Sequence, residues 1–190
     1  MRAFIAIELP AKIKDALSEI QNKLKNENLK TSWIKPQNLH LTLKFLGNIP
    51  IEKLEQIKKI AAATIKESLS FKVKLECLGV FPDLRAGRII WVGANQPPLE
   101  LKQLVEQLEG QLAETGIPKE NRDFCAHITI GRIRNFLSPS DLGKALDKIV
   151  KDMPDYNLEF NCGRITLFES TLGPAGPTYT ALKEFNLKTV

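Results

Sequence analysis

The 190-residue chain carries 27 Lys+Arg against 22 Asp+Glu, a net charge of +5, with 43% hydrophobic and 26% charged residues. That balance excludes a disordered chain and suits one domain of residues 1–190, built as two small lobes on a shared core. Three widely spaced cysteines (Cys77, Cys125, Cys162) without a C-x-x-C pair exclude a disulfide scaffold, and no run of about 18 apolar residues is present to cross a bilayer as a helix.

Arg2 to Leu9 reads as a strand, broken too early by Glu8 and Pro10 for a signal peptide, so the cytoplasm is the expected compartment. Pro10 then opens a helix with Ile13, Leu17, Ile20 and Leu24 at three- and four-residue spacing. Trp33-Ile34-Lys35-Pro36 leads into an alternating strand, Leu39 to Leu46, which stops at Gly47-Asn48. A helix is predicted from Ile51 to Leu69, then strands from Phe71 to Leu78 and Arg88 to Gly93 around a loop holding Phe81-Pro82-Asp83 and the basic Arg85 and Arg88. The second half repeats the first. Leu101, Leu104, Leu108 and Leu112 mark a helix, Ala126 to Arg132 a strand, Asp141 to Val150 a helix, and Asn157 to Asn161, Arg164 to Glu169 and Tyr179 to Leu187 three strands. This order predicts an α+β fold: two similar lobes, each an antiparallel sheet backed by helices, with a cleft between them.

The chain has only two histidines, His40 and His127, and each is followed by apolar-Thr-apolar. With ten threonines in 190 residues, chance places Thr at i+2 of both with odds on the order of one in 360. Side chains alternate along a strand, so His40 and Thr42 share one face, as do His127 and Thr129, while the apolar residues take the other. An imidazole titrates near neutrality, so one copy can act as base while the other acts as acid, and such a pair can hydrolyse a phosphate ester without metal or cofactor. Threonine hydroxyls and a cation would hold the non-bridging oxygens. A metal site is disfavoured, since neither His has a carboxylate or cysteine at i+2 or i+4. A nucleophilic triad has no G-x-S-x-G elbow to rest on.

These segments resemble the two-histidine phosphoesterases, and among them the bacterial and archaeal RNA 2′,3′-cyclic phosphodiesterases, formerly called 2′-5′ RNA ligases. The resemblance rests on Arg2-Ala3-Phe4-Ile5-Ala6-Ile7, Trp33 to Pro36, Leu39 to Gly47, Ile90-Trp91-Val92-Gly93, His127 to Arg132 and Leu172 to Tyr179, in this order over nearly the whole chain. It implies hydrolysis of a 2′,3′-cyclic phosphate at an RNA 3′ end to a 2′-phosphate, and in some members a reversible 2′-5′ joining of RNA ends. It further implies His40 as proton donor to the 3′ oxygen, His127 as the base that activates water, and Thr42 and Thr129 on the phosphate oxygens.

Arg132 is a further phosphate-binding candidate, although three residues after Thr129 it falls on the opposite pleat of a regular strand, and reaches the phosphate only through a bulge that Gly131 would permit. Phe45, five residues after His40, has the same odd offset; core packing is the expectation, with base stacking at the strand end as the alternative. Tyr179 follows a Gly- and Pro-rich turn that would bring its hydroxyl to the cleft. Lys35, Arg85 and Arg88 are candidates for a basic rim facing RNA. Two other functions stay open: a module that binds RNA or nucleotide phosphates without turnover, and a phosphoesterase for small cyclic phosphates or 2′-5′ oligonucleotides. No self-association stripe is visible, so a monomer is expected, with RNA ends as partner and no membrane.

Overall fold

The computed structural model describes residues 1–27, 29–135, 138–156, 158–174 and 176–189. Ten strands and four α-helices follow in the order β1 (Arg2–Glu8), α1 (Ala11–Lys25), β2 (Thr31–Trp33), β3 (His40–Asn48), α2 (Leu54–Glu67), β4 (Phe71–Lys74), β5 (Cys77–Phe81), β6 (Ile89–Gly93), α3 (Leu99–Ala113), β7 (His127–Ile133), α4 (Pro139–Asp152), β8 (Glu159–Cys162), β9 (Arg164–Gly173) and β10 (Gly176–Asn186) among these residues. The helices form where the apolar spacing places them. In α1 the buried positions are Ile13, Leu17, Ile20, Gln21 and Leu24, and in α3 Leu101, Leu104, Val105, Leu108 and Leu112. Helix α4 begins on Pro139 behind Ser138, whose hydroxyl accepts from the Asp141 N–H at 3.1 Å.

Two antiparallel four-stranded sheets carry the molecule, in the orders β10-β9-β1-β3 and β2-β7-β6-β5, and β4 pairs with β8 in a separate ribbon. The first sheet holds His40 and the second His127. The helices cross over: α1, which follows β1 of the first sheet, packs against β7 of the second, while α3, which follows β6 of the second, packs against β3 of the first. One continuous core therefore joins both sheets, running from Ile5 and Leu41 through Ile13 and Leu104 to Ile128. Neither lobe can be cut from the chain at its midpoint.

Three elements depart from the pattern-based expectation. The predicted strand 71–78 is two strands, because the chain changes partners without changing its alternation: the Leu75 N–H donates to the Leu158 carbonyl at 2.9 Å, and the next N–H, of Glu76, donates to the Gly93 carbonyl at 2.9 Å. A period of two shows which face is buried, not which strand lies alongside. Strand β2 is three residues long and half-buried, too short for any alternation to register. Strands β9 and β10 pair from Gly173↔Gly176 onward, longer than the expected Arg164 to Glu169 and Tyr179 to Leu187, so Tyr179 lies inside a strand, three residues past the hairpin turn. Asn157 and Ala175 of the sequence-based segments lie outside the described residues.

Candidate active site

Both motif strands break register at the same place. In the pairing of β1 with β3, Ala6 faces Thr42 and Ile5 faces Lys44, so Leu43 has no partner. In the pairing of β6 with β7, Trp91 faces Thr129 and Ile90 faces Gly131, so Ile130 has none. The fourth residue of each His-apolar-Thr-apolar motif is thus a one-residue bulge, and the side chains that follow it change face, in β3 as far as a second shift at Leu46. The bulge lies one residue before Gly131. It brings Arg132 onto the His127 face, as a site role requires, and does the same for Phe45, which is 54% exposed and corrects the expectation of core packing.

The result is a cavity of about 230 Å³ between the sheets, lined by His40, Thr42 and Phe45 from β3, His127, Thr129 and Arg132 from β7, and Tyr179 from β10. Seven of the ten candidates named from the sequence line this one cavity. Lys35, Arg85 and Arg88 are exposed and do not line it.

The imidazoles are anchored alike. Each Nδ1 lies against the carbonyl two residues upstream, His40 at 2.7 Å from Asn38 O and His127 at 2.8 Å from Cys125 O. A carbonyl only accepts, so Nδ1 carries the hydrogen and Nε2 is left as the atom that can take or give a proton. Burial holds both groups below the ordinary histidine pKa, and the carbonyl bonds pull the other way. His40 is depressed further by the charges of His127 and Lys14. Aromatic rings fix the flanks: Phe4 and Tyr179 stand 4.8 and 5.2 Å from the His40 ring, and Phe81 stands edge-on 4.9 Å from that of His127. Burial raises the Tyr179 phenol, and the cations of Arg132 and Arg2 partly offset this. The Thr42 and Thr129 hydroxyls hold no side-chain hydrogen bond among the described residues, which leaves them available to a ligand.

Behind the bulges lie residues that sequence pattern alone did not reveal. Lys44 is 1% exposed and points away from the cavity; its Nζ donates at 2.7 Å to Glu109 of α3 and at 2.7 Å to the Pro118 carbonyl. In the other lobe the same place is Gly131, where a Cβ would sit 2.6 Å from Thr31 Cγ2. There the support comes from buried Gln21 of α1, whose Nε2 donates at 2.8 Å to the carbonyls of both Ile34 and the bulge residue Ile130. Gln21 and Glu109 hold corresponding helix positions, after Ile20 and Leu108 in the same spacing of buried residues. A polar residue on the buried stripe of each helix was the available signal.

Comparison with known proteins agrees with this duplication. A family model described as "LigT like Phosphoesterase" matches twice, over residues 7–91 and 92–179. The RNA 2′,3′-cyclic phosphodiesterase of Methanocaldococcus jannaschii is 34% identical over 97% of this chain and 100% of its own length, and that of Escherichia coli is 31% identical over 98% and 96%. The crystal structure of E. coli LigT complexed with 3′-AMP superposes with a TM-score of 0.80 at 30% identity, covering 98% of this chain and 97% of that one.

Proposed function

The chain belongs to the LigT-like phosphoesterases, and from that membership we propose that it is an RNA 2′,3′-cyclic phosphodiesterase, opening the cyclic phosphate at an RNA 3′ end to a 2′-phosphate. The observation that carries the reading is the facing pair of Nδ1-anchored histidines, each with a threonine hydroxyl beside it, in one cavity. His127 Nε2 takes a proton from water as the water oxygen attacks phosphorus. The bond from phosphorus to O3′ breaks, and His40 Nε2–H delivers its proton to that oxygen. Thr42, Thr129 and Arg132 hold the non-bridging oxygens, where negative charge grows in the transition state. Phe45 offers an exposed ring to the terminal base and Tyr179 closes the wall beside His40. With a 5′-hydroxyl in the place of water, the same pair makes a 2′-5′ link.

The two lobes act as one domain, since a shared core joins them, and a monomer is the proposed state. No described helix is long and apolar enough to cross a membrane, and the cytoplasm is the proposed compartment. Among the described residues no cluster of three or more His, Cys, Asp or Glu is placed to hold a metal.

The test is incubation of EDTA-treated protein with a short RNA ending in a 2′,3′-cyclic phosphate. A 2′-phosphate product made without added metal supports the reading. Tight binding with no product would instead assign the cavity to phosphate recognition alone.

A further inference from the structure

The cavity does not end at Phe45. On the His40 lobe it opens into a second, shallower groove of about 590 Å³, and the two share Arg2, Gly47 and Ser170. The groove continues over Met1, Asn48, Glu169, Thr171 and Leu172 along the same end of the sheet. Its residues have no task in opening the cyclic phosphate.

Their chemistry suits one more nucleotide. Arg2 is exposed at the junction; Arg164 is committed to Glu8 and Glu184, but Arg2 has no ion-pair partner among the described residues. A guanidinium free at the mouth of a nucleotide site is matched to a phosphate diester. Gly47, at φ +70°, puts no side chain into the passage. Ser170, Thr171 and Asn48 offer neutral donors and acceptors, and Leu172, 68% exposed, offers an apolar surface to a base. Met1, whose ammonium is bonded to the Ile49 carbonyl, and Glu169 complete the lining. A wall with one unpaired guanidinium, a single carboxylate, small polar groups and an apolar platform matches a single nucleotide of a flexible strand better than a duplex, which needs rows of cations.

The geometry points to a second-nucleotide subsite: the groove receives the penultimate nucleotide of a single-stranded RNA, with Arg2 on the phosphate that joins it to the terminal one. This rests on the cyclic-phosphodiesterase reading of the first cavity. It makes a strand, and not a free cyclic mononucleotide, the better substrate.

The experiment compares kcat/KM for adenosine 2′,3′-cyclic phosphate and for an ApA dinucleotide ending in a 2′,3′-cyclic phosphate. The proteins are wild type, Arg2→Gln and Asn48→Asp. Asn48 lines only the second groove and pairs across the sheet with Arg2, so an aspartate there offsets the guanidinium and repels a phosphate. Wild type is expected to favour the dinucleotide about tenfold, the worth of one good phosphate contact. Asn48→Asp should erase that preference and leave the mononucleotide rate unchanged. Arg2→Gln should raise KM for the dinucleotide and flatten its log–log salt dependence by about 0.7. Equal turnover of the two substrates by wild type, or a preference that survives Asn48→Asp, overturns the subsite. Should Asn48→Asp lower both substrates together, Thr171→Glu repeats the test from the groove's other edge, and the same joint loss there also overturns it. No turnover of either substrate by wild type brings down the phosphodiesterase reading itself, a result distinct from all of these.

Discussion

The His40 lobe and the His127 lobe present the same backbone to the cavity. Each has a histidine tied to the carbonyl two residues before it, a threonine at i+2, a bulge at i+3, an inward residue at i+4 and an exposed one at i+5. What stands behind that backbone differs. One lobe fills the i+4 position with buried Lys44 and closes it with Glu109; the other leaves it empty at Gly131 and ties the bulge with Gln21. At i+5 one lobe offers the ring of Phe45 and the other the cation of Arg132. Duplication supplied two equally anchored histidines, and the residues around them make the two halves unequal, as the proposed division into one donor and one acceptor needs.

The equality breaks most sharply at the histidines. His40→Ala and His127→Ala should each lower kcat by about 10²–10⁴-fold with KM little changed, measured on a cyclic-phosphate RNA. Because the pair acts as a unit, the double variant should be scarcely worse than the poorer single one. A single variant that keeps full activity would remove that residue from the mechanism.

The supports behind the bulges should separate the lobes by stability. Glu109→Gln leaves the buried Lys44 ammonium with neutral carbonyl acceptors and no counter-charge, and should cost about 3 kcal/mol, the low end for a broken buried pair. Gln21→Leu removes a neutral donor while the Ile34 N–H still bonds the Ile130 carbonyl, and should cost about 1–2 kcal/mol. Denaturant midpoints at constant m-value check the order. Equal losses would mean that the Lys44–Glu109 pair contributes no more than an ordinary hydrogen bond.

These differences explain what the residue pattern could and could not show. The strands with His40 and His127, the four helices and the partition into cavity face and core face follow from alternation and from helical spacing, because those depend on near neighbours. The repeated His-apolar-Thr-apolar run carried the centre of the site for the same reason. Phe45 faces the cavity against the pattern because one unpaired residue, Leu43, inverts the faces that follow it up to a second shift at Leu46, and nothing local in Leu-Thr-Leu-Lys-Phe marks a bulge. Nothing local singles out Lys44, since only the fold brings Glu109 to it across 65 positions. The split of residues 71–78 depended on Leu158 and Gly93 as partners, which lie far away in the chain.

A smaller asymmetry should appear at the threonines. Thr42→Ala and Thr129→Ala each delete one hydroxyl from the phosphate oxygens, and each should lower kcat/KM about tenfold, near 1.4 kcal/mol. Comparable losses place the phosphate midway between the lobes. Loss from one alone means that the phosphate leans on that strand, and loss from neither contradicts the proposed oxyanion role.

The smallest effect bears on which histidine is the donor. Both pKa values are lowered, chiefly by burial, so the folded protein binds fewer protons than the unfolded chain once pH falls below the ordinary value near 6.5. Stability is therefore lost as pH drops from that value through the depressed ones. The kcat/KM profile, which needs one imidazole and one imidazolium, should be a bell centred on the acid side of 6.5. Its limbs belong to the coupled pair, yet Lys14 depresses His40 and not His127. Lys14→Gln should let the His40 pKa rise. If His40 is the acid, activity fails when it deprotonates, so the basic limb moves to higher pH while the acid limb stays nearly in place. Movement of the acid limb instead would exchange the two roles and make His127 the donor to O3′.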